Sequence, residues 1–167
     1  GALLMGRFGY SPAVMTFANS LVFAALLAAV YLLARQLLPD RGLALAAMAL
    51  AGLTPGLYVS SRYFMTDVPA ASMAAWAAAA LARSRGFRDW RWSLAFGVFT
   101  GLALCSRTVV VVYLFVPACA AALWWRGEGG EAEPSAPRLI LRKALCLALA
   151  GLVCLAVAAP WHLRHRD

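Results

Sequence analysis

The sequence predicts an all-α fold, a polytopic bundle of membrane helices, on two observations. Of its 167 residues, 63% are hydrophobic and 13% are charged, with a mean hydropathy of +0.76, whereas soluble domains are about 45–50% apolar. The run from Pro12 to Ala34 carries no charge. At about 1.5 Å per residue, this run is long enough to cross a hydrocarbon core of about 30 Å. We therefore expect the lipid bilayer, and not water, to surround most of the chain.

The net charge of +8 raises the alternative of a nucleic-acid-binding protein. Its basic residues do not follow one face interleaved with stacking aromatic side chains, as such a protein would require. Most of them form three clusters between apolar runs, which is typical of signals for membrane orientation, so no nucleic-acid partner is expected. The clusters are Arg35 with Arg41; Arg83, Arg85, Arg88 and Arg91; and Arg126, Arg138, Arg142 and Lys143.

The three clusters predict the topology. If all lie in the cytoplasm, an even number of crossings separates each pair, which requires two hairpins and places both chain ends outside. Residues 127–137, rich in Gly, Pro and Glu, are expected to form a flexible cytoplasmic loop. The alternative, one long helix from Trp92 to Trp125, would leave Arg107 in mid-bilayer at a cost of at least about 2.5–3.5 kcal/mol. The six predicted helices cover about 12–34, 43–59, 68–82, 93–105, 108–125 and 144–160.

Small residues and the chain ends give further expectations. Gly97 and Gly101 form a GxxxG spacing, which predicts close packing of two helices. The four cysteines lie in apolar runs without CxxC or CxxH spacing, as buried hydrophobic residues do. The chain begins at Gly1 without Met and stops directly after an apolar run. We therefore expect residues 1–167 to be an internal fragment of one transmembrane domain.

The stretch YVSSRYFMTDVP, residues 58–69, places Arg62 and Asp67 between two apolar runs. The arm that follows, 68–82, spans only about 22 Å as a helix, so its outer end should lie below the outer membrane surface. Asp67 has two interpretations that remain open, an N-cap followed by Pro69 in the first turn, or a functional carboxylate. Arg62 either extends to the interface beside tyrosines or binds an anionic group.

Arg107, in CSRT, lies in the second predicted outer turn. Because the predicted topology places both short turns on the same side, Arg62, Asp67 and Arg107 could line one pocket. Two cations and one carboxylate suit a phosphate-bearing ligand together with a nucleophile that must be oriented.

Four segments together resemble a known family: ARQLLPDRG after the first crossing, SRYFMTDVP, the GLALCSR arm and the closing APWHLR. In this order they are similar to the PMT-like glycosyltransferase family 39 of the GT-C superfamily. The resemblance implies transfer of a sugar from a polyprenyl-phosphate-linked donor to a lipid, glycan or protein acceptor on the extracytoplasmic face. It also implies a multi-pass protein of the bacterial inner membrane.

The resemblance assigns roles residue by residue. Asp67 matches the acidic residue of the family's D-x-P motif, which helps to form the active site or a divalent metal site. Arg107 stands where the family usually has Lys and would contact phosphate, and Arg62 matches a basic position before the D-x-P. Trp161 and Arg164 match a Pro-Trp-x-x-Arg motif. The family's first acidic motif should lie upstream of Gly1, so the fragment alone is expected to be inactive.

Two other classes of function stay open from the residues alone. A membrane transporter also builds polar sites from broken helices, but its repeats are commonly inverted, whereas the two predicted hairpins run in the same direction. A noncatalytic membrane scaffold would not need the outer charges.

Overall fold

The computed structural model describes residues 11–62, 66–124 and 136–164, and all regular secondary structure in these ranges is helical. This confirms the predicted all-α fold. The helices that these residues form are α1 (Pro12–Leu37), α2 (Arg41–Leu53), α3 (Pro55–Arg62), α4 (Asp67–Arg83), α5 (Trp90–Ser106), α6 (Val110–Trp124) and α7 (Ala136–Arg164).

Two long apolar helices flank shorter ones. Helix α1 has 26 residues and α7 has 29, about 39 Å and 43 Å at 1.5 Å per residue. By length and composition, Pro12–Leu37 and Ile140–Arg164 could each cross a membrane, whereas Arg41–Leu53 and Val112–Ala122 are apolar but shorter. These helices fit the predicted membrane helix bundle.

Helices α4 and α5 form a hairpin at the centre of the bundle. Each has 17 residues, or about 25 Å, and they are joined by a short turn from Ser84 to Asp89. Because the two arms are equally long and the turn is short, the start of α4 lies opposite the end of α5. Asp67 and Arg107 are thereby brought to the same end of the hairpin.

The turn of this hairpin has an unusual backbone. Arg85, Gly86 and Phe87 have φ values of 50°, 70° and 63°, a left-handed conformation that costs about 1–3 kcal/mol for a residue with a side chain. Ser84 offsets part of this cost, because its Oγ donates to Leu81 O at 2.7 Å and accepts from Phe87 N at 3.1 Å. Phe87 is fully buried and contacts Phe96 edge-on, with ring centroids 5.7 Å apart.

Helix α5 packs closely on α7 through the two glycines of the GxxxG spacing. A Cβ added at Gly97 would overlap Ala150 O, and one at Gly101 would lie 2.8 Å from Val157 Cβ. Only glycine permits this approach, which confirms the close packing predicted for the GxxxG spacing. Since residue numbers rise together along the contact, α5 and α7 run parallel.

The contacts between helices separate the charges into two ends. Lys143 Nζ lies 3.4 Å from Ala122 O, which places the end of α6 beside the early part of α7. Gln36, Arg83 and Trp92 line one crevice, which places the end of α1 beside the α4–α5 turn. These helix ends carry the basic clusters and lie at one end of the bundle, which we call the basic end. Asp67 and Arg107 lie at the opposite end, which we call the site end. The six-crossing topology and the cytoplasmic location of the basic end stay predictions.

The predicted helix over 43–59 is interrupted at Thr54, which has an extended backbone with φ −62° and ψ 115°. Pro55 explains the break, since a proline disfavours helical geometry in the residue before it and has no N–H to continue the helix. Pro55 instead begins α3, where its missing N–H costs nothing.

Two further predicted segments differ from the structure or fall outside it. Helix α7 begins at Ala136, earlier than the predicted 144. The predicted cytoplasmic loop, 127–137, therefore shares its last two residues with α7, and the rest of it lies outside the described residues. The alternative single helix from Trp92 to Trp125 is not what the structure shows, because α5 ends at Ser106 and α6 begins at Val110.

The contact between α5 and α7 gives a stability prediction. Gly101→Val should lower the free energy of unfolding by about 1–3 kcal/mol, because the added methyl groups overpack against Val157 and Cys154. Gly151→Val is the matched control, because a Cβ at Gly151 meets nothing within 4 Å. Denaturant unfolding of the purified protein in detergent measures both, and equal effects of the two substitutions would contradict the predicted contact.

Candidate functional site

The described residues include three aspartates, and two of them serve as helix caps. Asp40 accepts a hydrogen bond from Leu43 N at 3.3 Å, and Asp89 accepts one from Arg91 N at 2.9 Å. Both bonds satisfy backbone donors that a helix start leaves unpaired. Asp67 is different, because its side chain binds an arginine of another helix.

Asp67 and Arg107 form an ion pair, with Arg107 Nη2 2.7 Å from Asp67 Oδ1. Oδ1 is covered and has no other polar partner among the described residues. Charge attraction to Arg107 is therefore its main interaction. The Asp67 side chain as a whole is 39% exposed and that of Arg107 is 56% exposed, so both charges can be reached from outside the bundle.

Local structure favours each charge at its position. Asp67 is the first residue of α4, where the helix N-terminus favours an anion, and Arg107 directly follows α5, where the C-terminus favours a cation. Thr66 precedes α4 without a side-chain capping bond. Pro69 lies in the first turn of α4, as predicted. The two interpretations of Asp67, a backbone cap and a functional carboxylate, both stay predictions.

The ion pair borders a groove of about 350 Å³ between α4 and α6. Three alanines on one face of α4 form one wall, and Val110 and Tyr113 of α6 form the other. These wall residues were not predicted from the sequence. Helical spacing could have identified those on α4, because positions 67, 70, 71 and 74 share one face of a helix. The alanines are Ala70, Ala71 and Ala74.

The other residues assigned by resemblance are placed less fully. The backbone of Arg62 ends α3, but its side chain lies outside the described residues, so its contact with the groove stays a prediction. Trp161 and Arg164 lie in the last turns of α7, at the site end of that helix. The first acidic motif, expected upstream of Gly1, also lies outside the described residues.

The described residues do not by themselves form a metal site. Among them no group of three or more His, Cys, Asp or Glu side chains is close enough to hold an ion. A divalent metal at Asp67 would need ligands from other parts of the protein.

Comparison with family models gives one match that covers nearly the whole chain. The model described as dolichyl-phosphate-mannose-protein mannosyltransferase matches residues 2–163. Comparisons with curated proteins and with solved structures find no match.

The exposure of the ion pair predicts that it contributes little to stability. Exposed pairs are typically worth about 0–1 kcal/mol, so the coupling between Asp67→Asn and Arg107→Gln in a double-mutant cycle should stay below about 1 kcal/mol. Unfolding of the wild type, both single variants and the double variant measures the coupling energy. A coupling above about 2 kcal/mol would instead assign the pair a mainly structural role.

Proposed function

The chain belongs to the dolichyl-phosphate-mannose-protein mannosyltransferase family, whose members are membrane glycosyltransferases, and we propose that its site end transfers a sugar from a polyprenyl-phosphate donor. The acceptor is a lipid, glycan or protein on the extracytoplasmic face. The observation that carries this proposal is the Asp67–Arg107 pair at the mouth of the groove. The exposed cation can bind a phosphate, and the exposed carboxylate can bind an acceptor hydroxyl.

Arg107 binds the phosphate of the donor in this proposal. During transfer the bond between the anomeric carbon and the phosphate oxygen breaks, a bond from the acceptor oxygen to that carbon forms, and the polyprenyl phosphate leaves with the bonding electrons. Its negative charge grows in this step. A guanidinium carries a fixed charge and several donors in a planar fork, which suits the developing phosphate charge.

Asp67 orients the acceptor. Its side chain is 39% exposed, and a carboxylate can accept a hydrogen bond from the hydroxyl that is to attack. The proton of that hydroxyl goes to a general base, for which the family's first acidic motif is the candidate. Arg62, at the end of α3, is proposed as a second cation for the phosphate.

The lengths of the helices support a recessed site. If α1 and α4 keep the alignment that brings Gln36 and Arg83 to one crevice, Asp67 is level with about Ser20, and α1 continues about 12 Å beyond it. A polyprenyl chain in the bilayer could then present its phosphate without leaving the membrane. We propose the bacterial inner membrane as the location, with the site end outside.

Replacing each charge should separate donor binding from turnover. Arg107→Gln should weaken binding of polyprenyl phosphate to the full-length enzyme by about 10-fold to 100-fold, since a charge-assisted hydrogen bond is worth about 1.5–3 kcal/mol. Asp67→Asn should bind it at least as tightly as the wild type, because the carboxylate that competes for Arg107 is gone. The turnover of Asp67→Asn should nevertheless fall by about 100-fold or more, because the carboxylate that orients the acceptor is lost.

Arg91→Gln is the matched control, because it also removes one positive charge, but at the basic end. It should change neither the binding of polyprenyl phosphate nor the turnover. Binding is measured by titration in detergent, and turnover by glycan product in membranes of cells that carry the variant as their only copy. Turnover equal to that of the wild type in a well-expressed Asp67→Asn enzyme would remove Asp67 from the site.

The proposed orientation can be tested with thiol chemistry. In a variant whose native cysteines are replaced by alanine, a membrane-impermeant thiol reagent applied to intact cells should modify Thr66→Cys and leave Arg88→Cys unmodified. After the cells are permeabilised, both should react. The opposite pattern in intact cells would place the basic end outside and contradict the extracytoplasmic site.

A further inference from the structure

A second cavity lies at the basic end, away from the site end. It has a volume of about 210 Å³ and is enclosed by α1, α4 and α5. The cavity is smaller than the roughly 300–1,000 Å³ typical of sites for drug-sized ligands. It is therefore better suited to part of a hydrocarbon chain than to a sugar with its phosphates.

The cavity is apolar at its inner part. Trp76 and Phe99 stack there, with ring centroids 5.7 Å apart and planes inclined by 25°. Leu32 of α1 and the side chains of Ala79 and Ala80 complete the wall. No charged side chain among the described residues lines this inner part.

The other part of the cavity lies at the helix ends and is cationic. Arg83 is seven residues beyond Trp76 on α4, or about 10 Å along the helix. Its guanidinium lies 4.8 Å from the centre of the Trp92 ring, and this contact holds the charge beside the cavity. Gln36 of α1 lines the cavity as well and adds a polar side chain.

The charges around this opening are mostly positive. Arg85, Arg88 and Arg91 belong to the same turn and the start of α5. The carboxylates described near this end, Asp40 and Asp89, are used as helix caps. An anion that reaches the opening therefore meets a cationic surface, and basic pockets between membrane helices are known to bind anionic lipid head groups.

We propose that this cavity binds one anionic phospholipid. Its phosphate contacts Arg83, and the upper part of one acyl chain lies against Trp76 and Phe99. The inference depends on the order of charge and apolar surface along the cavity, a cation at the helix ends and stacked aromatic rings about 10 Å deeper. It does not depend on the transfer reaction at the site end.

The test is native mass spectrometry of the full-length protein in detergent, titrated with phosphatidylglycerol or with phosphatidylcholine. The wild type should retain phosphatidylglycerol in preference to phosphatidylcholine. Arg83→Gln should weaken retention of the tightest-bound phosphatidylglycerol about tenfold, as the loss of one charge-assisted hydrogen bond would. The matched control is Arg85→Gln, which removes an exposed charge two residues away that does not line the cavity, and it should change retention less than twofold.

Two more variants keep the test independent of folding defects. Arg83→Lys keeps the charge and should keep the preference for phosphatidylglycerol. Leu32→Trp keeps all charges but fills the inner part of the cavity, and it should weaken retention as Arg83→Gln does.

Three results would overturn the proposal. Equal losses in Arg83→Gln and Arg85→Gln would indicate diffuse attraction to the basic end. Unchanged retention in Leu32→Trp would show that no chain enters the cavity. Displacement of the tightest-bound phosphatidylglycerol by polyprenyl phosphate would assign the cavity to the donor lipid instead.

Discussion

The equal length of α4 and α5 is the constraint on which the site depends. The left-handed turn at Arg85–Phe87 joins the two helices at one end, and 17 residues in each arm bring Asp67 and Arg107 together at the other. One residue more in either arm would turn its charge by about 100° around the helix axis and move it about 1.5 Å. The strained turn at the basic end therefore sets the geometry of the site about 25 Å away.

Small side chains serve both packing and the groove. Between membrane helices there is little hydrophobic driving force, so close van der Waals contact has to hold them together. Gly97 and Gly101 allow this contact between α5 and α7, while Ala77 and Ala80 of α4 are buried in the core. Other alanines of α4 leave the groove open beside Asp67. An alanine-rich helix thus packs on one side and leaves room for a ligand on the other.

The sequence predicted the proximity of Asp67 and Arg107 better than it predicted the backbone around them. Charge clusters were sufficient to place Asp67 and Arg107 on one side, because a membrane restricts where a charge can lie. The direct ion pair was not predicted, since it depends on helix length and rotation, which shift by a residue or two in any prediction from sequence. The break at Thr54 was missed although Pro55 was visible. The cavity at the basic end was not predicted, because Arg83 and Trp92 also fit the interfacial role of such residues at helix ends.

In the proposed function, the ion pair holds Arg107 at the recessed site until the donor phosphate binds. An unpaired arginine at the centre of a bilayer costs about 2.5–3.5 kcal/mol or more, and a recessed site carries part of this cost. Asp67 lowers the free-energy cost of placing Arg107 there while no ligand is bound, because opposite charges 2.7 Å apart present little net charge. Exposed ion pairs are worth only about 0–1 kcal/mol, and both of these side chains are partly exposed, so the pairing is weak. In the proposed function, a phosphate therefore replaces Asp67 at Arg107 at small cost, and the carboxylate then becomes available to the acceptor.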